Sequence, residues 1–222
     1  MTSKKTKIID RTLRLYVAAL SDAADEVGIG RVCMDRGIVP LTINKRMAGF
    51  ARTGKLVRPP AQRPYDEAQL DMFMSLATEA QVDDLVVIDS GKADDCSVWG
   101  QILTKIGIAK GLRGAVVDGT SRDIDDIDKT GFVVFARGLH PGTMRGRLDM
   151  ESISEPIVCG GVTVHPGDLV FADADGVAVI PQDKIDAVLT HAEEVVDTDS
   201  WWAKKLDDGE DPHDLHKEKP IP

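Results

Sequence analysis

Apolar residues along the chain change their period several times, and each change marks an element. Between Lys7 and Leu20 the positions Ile8, Ile9, Leu13, Tyr16, Val17 and Leu20 fall close to one helical face, which predicts an N-terminal amphipathic helix. Ser21 then has the chemistry of an N-cap, Asp22 and Asp25 suit a first turn, and Gly28 suits the left-handed residue that closes a short helix. From Pro40 to Arg58 the pattern is mixed: Thr42, Ile43, Phe50 and Leu56 to Arg58 suggest strands joined by turns at Gly49 and Gly54. PPAQRP, Pro59 to Pro64, admits only extended or turn backbone. Asp66 to Gln81 reads as a helix with Leu70, Phe73, Met74 and Ala77 as its core stripe. DLVVID, Asp84 to Asp89, is a continuous apolar run and predicts a strand buried on both faces. It leads into a polar loop, Ser90 to Cys96, carrying Asp94 and Asp95, and then a helix of about Ser97 to Lys110 with Ile102, Leu103, Ile106 and Ala109 inward.

Gly111 ends that helix; Ala115 to Val117 is a short buried strand, followed by a turn at Asp118 and Gly119, and Phe132 to Phe135 should lie in a neighbouring strand. Ile157 to Ile180 alternates tightly through two turns, Pro166 to Asp168 and Asp173 to Gly176, as a meander does. Asp168, Asp173 and Asp175 read as turn formers, because the other ligands of a calcium loop are absent. A last helix, Gln182 to Val196, puts Ile185, Val188, Leu189, Ala192, Val195 and Val196 on one face. Trp201 and Trp202 in the polar segment beyond it predict docking on this or a neighbouring subunit. The organisation expected is an α/β domain over residues 1–196 and a C-terminal tail over 197–222.

Charge narrows the function. With 37 acidic against 27 basic side chains the net charge is -10, which repels phosphate backbones and argues against direct nucleic-acid binding. No apolar run approaches the roughly 20 residues of a membrane helix, and MTSKKTKIIDRTLR lacks the apolar core of a secretion signal, so the expectation is cytoplasmic with no membrane partner. Cys33, Cys96 and Cys159 are scattered and odd in number, the pattern of small buried thiols rather than of disulfides or a zinc site.

Arg122 and Asp123 stand side by side just past a predicted strand end. There a guanidinium can grip a carboxylate or keto oxygen while the carboxylate holds a divalent cation. The same two residues could equally form a surface pair that caps the next short helix, and spacing alone leaves both readings open. Gly100, in a first helical turn, lets an anion approach free backbone N–H groups, although a glycine there would also relieve packing against Trp99. Asp125, Asp126 and Asp128 read as a solvated helix turn. Gly138 to Arg147, with His140, Pro141, Arg145 and Arg147, reads as a mobile segment in which His140 is as readily a packing residue as a ligand.

Five blocks in fixed order carry a family resemblance: SDAADEVG at Ser21, WGQIL at Trp99, GLRGAVVDGTSRD at Gly111, VFARG at Val134 and CGGVTVHPGDLVFADADGVAVIP at Cys159. Together they resemble the RraA-like family, which includes the regulator of ribonuclease activity A and the class II pyruvate aldolases acting on 4-hydroxy-4-methyl-2-oxoglutarate and 4-carboxy-4-hydroxy-2-oxoadipate. The resemblance implies an α/β fold of the swivelling β/β/α type, a single domain with mixed sheets flanked by helices. It also implies assembly as homotrimers or homohexamers with active sites at subunit boundaries. The implied activity is a divalent-metal-dependent lyase that cleaves a C–C bond of a small 2-oxo acid to give pyruvate. Carried over residue by residue, Asp123 would bind the metal, Mg2+ before Mn2+; Arg122 would bind the keto oxygen and stabilise the enolate; and backbone amides around Gly100, Gln101, Ile102 and Leu103 would cradle the carboxylate.

One position departs from the family. The aldolases carry an aspartate twenty-one positions before the arginine, where this chain has Gln101. An amide can hold a water but cannot take its proton, so the expected catalytic role at Gln101 is altered. Either another acid substitutes, such as Asp94, Asp95 or one from a neighbouring subunit, or the reaction is one that removes no hydroxyl proton, such as decarboxylation of oxaloacetate. A different class of function is a non-catalytic regulator that binds and inhibits a ribonuclease, which the acidic surface would suit. A third is a scaffold that has lost activity, for which Gln101 is the only support.

Overall fold

Four strands that are buried on both faces run parallel at the centre of the sheet: β2 (Met47–Val57), β3 (Asp84–Trp99), β4 (Ala115–Ser121) and β5 (Val134–Leu139). The computed structural model describes residues 4–61, 64 and 66–220; Gln62 and Arg63 of the proline-rich run lie outside the described residues. β1 (Val39–Pro40) pairs antiparallel with β5 at one edge. At the other edge β9 (Leu169–Asp173) and β10 (Gly176–Ile180) extend the sheet antiparallel from β2, and β6 (Asp149–Ile153) pairs with the second half of β2. The hairpin of β7 (Ile157–Cys159) and β8 (Val162–Val164) is a separate two-stranded sheet. The helices are α1 (Lys4–Thr12), α2 (Val17–Glu26), α3 (Glu67–Thr78), α4 (Gln101–Lys110), α5 (Ile124–Asp128), α6 (Ile185–Asp207) and α7 (Pro212–Glu218).

The two faces of each strand feed different cores. Ile88, Val117 and Ala136 pack under α3, α4 and α5, whereas Val87, Val116 and Phe135 face the β7–β8 hairpin. A third core joins Phe50, Leu169, Phe171 and Ile180 to α1, α2 and the apolar face of α6 expected from the sequence. Arg11 clamps Glu193 through two hydrogen bonds of 2.8 and 3.0 Å, tying α1 to α6 across that core.

Several boundaries differ from the sequence expectation, each for a tertiary reason. The N-terminal helix breaks after Thr12, and Ser21 lies inside α2 because the cap comes from elsewhere: the Val17 N–H donates to Asp173 Oδ2 at 2.9 Å. β2 is one strand with no turn at Gly49 or Gly54; side chains there would meet Leu85 and Leu76 at 2.8 Å, so both glycines serve close packing. The expected loop after Asp89 continues as strand, with register slips against β4 at Asp89, Ala93 and Ser97 that absorb the extra residues. β4 likewise runs through Asp118 and Gly119 instead of turning there. α4 starts at Gln101, since Ser97 to Trp99 complete β3, and it ends as expected at Gly111 (φ 82°). α6 runs for 23 residues, through Trp201 and Trp202. Trp202 is buried against α7, its indole N–H donating to the Lys219 carbonyl at 3.0 Å, so this part of the tail docks on its own chain. Among the described residues no helix is long and apolar enough to cross a membrane.

Candidate active site

The ends of β3 and β4 are locked together at one carbonyl. Trp99 O accepts from the Arg122 N–H at 3.0 Å, the Ser97 hydroxyl at 2.9 Å and the Ser121 hydroxyl at 3.1 Å. The Trp99 ring is buried, stacks on Phe132 with centroids 6.0 Å apart, and donates its indole N–H to Thr104 at 2.9 Å. The start of α4 and the residues after β4 are therefore held in one fixed relation.

Asp123 adopts the left-handed conformation (φ 59°, ψ 30°) at the N-cap position of α5, yet its side chain makes no cap hydrogen bond there. Oδ2 turns back toward α4 and accepts the Gln101 N–H at 3.1 Å. Arg122 Nε lies 3.7 Å from the same oxygen, an ion pair too long to be a hydrogen bond, and the two side chains are 42% and 41% exposed. The surface-pair reading is met in part: both side chains are exposed and Asp123 occupies the N-cap position of α5, but its carboxylate caps α4 at Gln101 instead of α5. Gly100 has ordinary extended backbone (φ -164°), so its glycine has a steric cause: a Cβ would meet Asp123 Oδ2 at 2.8 Å and Arg122 Cγ at 3.3 Å.

The pair opens on a cavity of about 180 Å³, also lined by Gly100, Ile102 and Leu103. Gln101 is not among its lining residues; its backbone N–H serves Asp123. Leu103 is buried as expected, but Ile102 is 65% exposed, and Ala109 is exposed as well. The two aspartates weighed as substitute acids do not line the cavity. Asp95 pairs with Arg58 at 2.5 Å, whose guanidinium holds its carboxyl below the usual range, and Asp94 is exposed. Asp66 and Asp149 line it instead, together with Leu70 and Met74 of α3 and with Met144, Arg145 and Leu148. Leu70 and Met74 were expected in the core; Phe73, Leu76 and Ala77 hold α3 to the sheet without them. The Gly138 to Arg147 segment meets β3 where the Ser97 N–H donates to the Gly142 carbonyl at 2.8 Å, and within it Arg147 donates to the Thr143 carbonyl at 2.6 Å. His140 Nδ1 accepts the Gly142 N–H at 2.9 Å, a packing role inside the turn.

Among the described residues no three His, Cys, Asp or Glu side chains converge as a ready-made metal cage. Mg2+ needs none, because it keeps several waters and takes one or two carboxylates along with substrate oxygens. Asp123 Oδ1 has no protein partner among the described residues, so this donor set fits such a cation.

In this mixed α/β domain an arginine and a carboxylate stand at the C-terminal ends of parallel strands, the end at which open sheets of this kind commonly carry their ligands. The chain belongs to the RraA-like family, whose model, described as Aldolase/RraA, matches residues 17–179. It is 32% identical over 196 residues to a Halalkalibacterium halodurans protein named "Putative 4-hydroxy-4-methyl-2-oxoglutarate aldolase", covering 86% of this chain and 85% of that one. Protein DlpA of Legionella pneumophila is 30% identical over 82% of this chain, a stretch that spans 29% of DlpA's length. Among solved structures, an uncharacterized protein from Pseudomonas syringae pv. tomato superposes with a TM-score of 0.83 at 26% identity, covering 97% of this chain and 100% of that one. Streptomyces coelicolor RraAS2, described as an unusual member of the RNase ES inhibitor RraA protein family, superposes at 0.78 with 24% identity, covering 93% and 98%, and bears on the fold alone.

Proposed function

We propose that the chain is a divalent-metal-dependent lyase that breaks a C–C bond of a 2-oxo acid and releases pyruvate. The bond is cleaved either by aldol cleavage of a 4-hydroxy-2-oxo acid or by decarboxylation of oxaloacetate. The observation that carries this reading is the convergence of Arg122 and Asp123 on a glycine that has no room for a side chain, at the wall of a cavity. The name of the H. halodurans relative supports the aldol form.

Breaking the bond next to C3 leaves an electron pair that must be held as an enolate. When bound at Asp123, a divalent cation such as Mg2+ or Mn2+ supplies the Lewis-acid charge that draws those electrons onto the keto oxygen. Arg122 adds a second positive charge at that oxygen. Of the first-turn amides of α4, Thr104 N–H is used by the Gly100 carbonyl and Gln101 N–H by Asp123. Those of Ile102 and Leu103 are left to meet the substrate carboxylate. Gln101 cannot take the proton of a C4 hydroxyl, and in this reading Asp149, which lines the same cavity, receives it. The reading includes a homo-oligomer of three or six chains, which light scattering measures directly.

Exchange of the pyruvate methyl protons for deuterium, followed by NMR, tests the site independently of the rest of the substrate. Exchange should require Mg2+ or Mn2+ and fall by about 10²- to 10³-fold in Asp123→Asn, the loss expected when one electrostatic stabiliser is removed. Absence of metal-dependent exchange in the wild type would overturn the proposal. The regulator reading has fold likeness behind it but no observation of its own in this site.

A further inference from the structure

The cavity beside Arg122 and Asp123 has a further wall built by the N-terminal half of α3, and one polar side chain there is held in a single orientation. Gln69 lines the cavity and is half-buried. Its Oε1 accepts the N–H of buried Met150 at 2.8 Å, which gives β6 a partner on α3 in addition to its pairing with β2. Only the oxygen of an amide can accept, so this bond settles which way round the Gln69 amide lies: Oε1 meets β6, and Nε2 carries two N–H hydrogens on the other side. Nε2 has no protein partner among the described residues.

The helix that carries Gln69 is fixed at both ends. Arg52 donates to the Leu76 carbonyl at 2.8 Å and to the Ser75 carbonyl at 3.0 Å, while Asp66 Oδ1 caps the first turn by accepting the Ala68 N–H at 3.0 Å. Gln69 is thus a preorganised donor, and a ligand that uses it loses little to further ordering. The other polar groups of this wall are committed. The Ser97 hydroxyl donates to the Trp99 carbonyl at 2.9 Å, Thr143 Oγ1 accepts the Arg145 N–H at 3.3 Å, and Arg145 and Asp149 each already have a partner. A neutral amide with two unused N–H groups favours a ligand oxygen opposite it, because an oxygen brought there replaces its lost water and an apolar group leaves the amide unsatisfied.

We propose that Gln69 is the substrate-binding residue for the far arm of the 2-oxo acid: Nε2–H donates to an oxygen beyond C3, while Arg122 and Asp123 serve the keto-acid end. This rests on the lyase reading above and holds for either of its reactions, since a 4-hydroxy-2-oxo acid and oxaloacetate both carry oxygen on C4. The two ends of one amide then do different jobs, Oε1 for the fold and Nε2 for the ligand, and substitution can part them. Gln69→Glu keeps an oxygen for the Met150 N–H and replaces the donor by a second acceptor; Gln69→Ala removes both.

Calorimetric titration of the Mg2+-loaded protein at pH 8 compares 2-oxoglutarate with 2-oxopentanoate, which has the same five carbons and ends in a methyl group. Pyruvate is the reference without an arm, and none of the three has a C4 hydroxyl to support turnover. The wild type should bind 2-oxoglutarate at least about tenfold tighter than 2-oxopentanoate, the worth of a hydrogen bond to a charged acceptor. Both variants should lose that lead, whereas the urea midpoint should fall in Gln69→Ala and hold in Gln69→Glu. A lead that survives in Gln69→Glu overturns the inference, because a purely structural glutamine predicts that result. An equal fall of the midpoint in both variants overturns it too, making the lost lead a folding effect. Pyruvate binding with no lead for 2-oxoglutarate in the wild type overturns this inference alone; failure of pyruvate itself to bind overturns the lyase reading along with it.

Discussion

Two arginine–aspartate pairs lie at the same end of the parallel strands, and they are built in opposite ways. Arg137 and Asp118 sit on the face turned to the β7–β8 hairpin, with side chains only 21% and 4% exposed. Asp118 accepts from Arg137 Nε and from the Gly160 N–H at 2.9 Å, and Arg137 reaches on to Asp35 at 3.1 Å. Hydrogen bonds from Arg31 and then Arg137 hold the Asp35 carboxyl below its usual range. Arg122 and Asp123, on the helix side, are twice as exposed as Arg137, share no hydrogen bond with each other and leave Oδ1 of the aspartate without a protein partner among the described residues. The first pair satisfies itself and joins the hairpin and the residue-35 segment to the sheet. The second holds unspent bonding capacity in a strained backbone beside a cavity, as expected of a site shaped for a ligand rather than for stability.

Removing one member of each pair should separate the two roles most sharply. Arg137→Ala leaves Asp118 buried beside a single N–H donor and should destabilise the fold by about 3 kcal/mol, the cost of breaking a buried ion pair on one side. Asp123→Asn, by contrast, should leave the urea midpoint nearly unchanged while slowing proton exchange in pyruvate by about 10²- to 10³-fold. Equal stability losses in the two variants would erase the distinction. A smaller effect is expected from Gly100→Ala, whose Cβ would crowd Asp123 Oδ2 at 2.8 Å. The carboxylate must then shift from the Gln101 N–H, and the exchange rate should drop roughly tenfold, about 1.4 kcal/mol, with the unfolding midpoint held. A midpoint that falls with the rate would make this glycine a packing residue.

The two pairs also differ in how far they could be read before folding. Arg122 and Asp123 are neighbours in the chain, so adjacency placed them together, and their family motif assigned them roles. Asp118 was expected in a turn; nothing local announces that β4 continues beneath it and that Arg137, 19 positions later, arrives alongside. The same holds across the fold. The β-branched runs at 84–89 and 115–117 announce the parallel strands, because burial on both faces requires apolar residues at consecutive positions. The cap of α2 by Asp173 spans 156 positions and leaves no local signal. Leu70 and Met74 read as core because helical periodicity reports an apolar face, not whether that face meets the sheet or a cavity. The side chain of Gln101, the one departure from the aldolase pattern, lies outside the cavity wall, whereas Asp149, which does line it, had no sequence signal at all.

Asp89 provides the finest test, because it is a carboxylate on the face of the first pair with no arginine of its own. It sits opposite Asp118 in the strand register and accepts the Gly91 N–H at 2.9 Å. Burial first, and then the nearby negative charge of Asp118, push its carboxyl up, against the opposing pull of the Gly91 hydrogen bond and of Lys55. A raised folded-state value means the folded protein holds this proton more tightly than the unfolded chain. That contribution to stability is fully present below the unfolded value of about 3.9 and is lost as pH rises through the folded one. At neutral pH the charged group is therefore a net burden. Asp89→Asn keeps an oxygen for Gly91 and removes the charge, so the urea midpoint at pH 7 should rise, by about 0.5 kcal/mol at most given the group's partial exposure. The difference should shrink as pH falls into the carboxyl range, where the wild-type side chain becomes neutral too. A variant less stable than wild type at pH 7 would mean that Lys55 already balances the charge of Asp89, and that the field on this face is set by more than the Arg137–Asp118 pair.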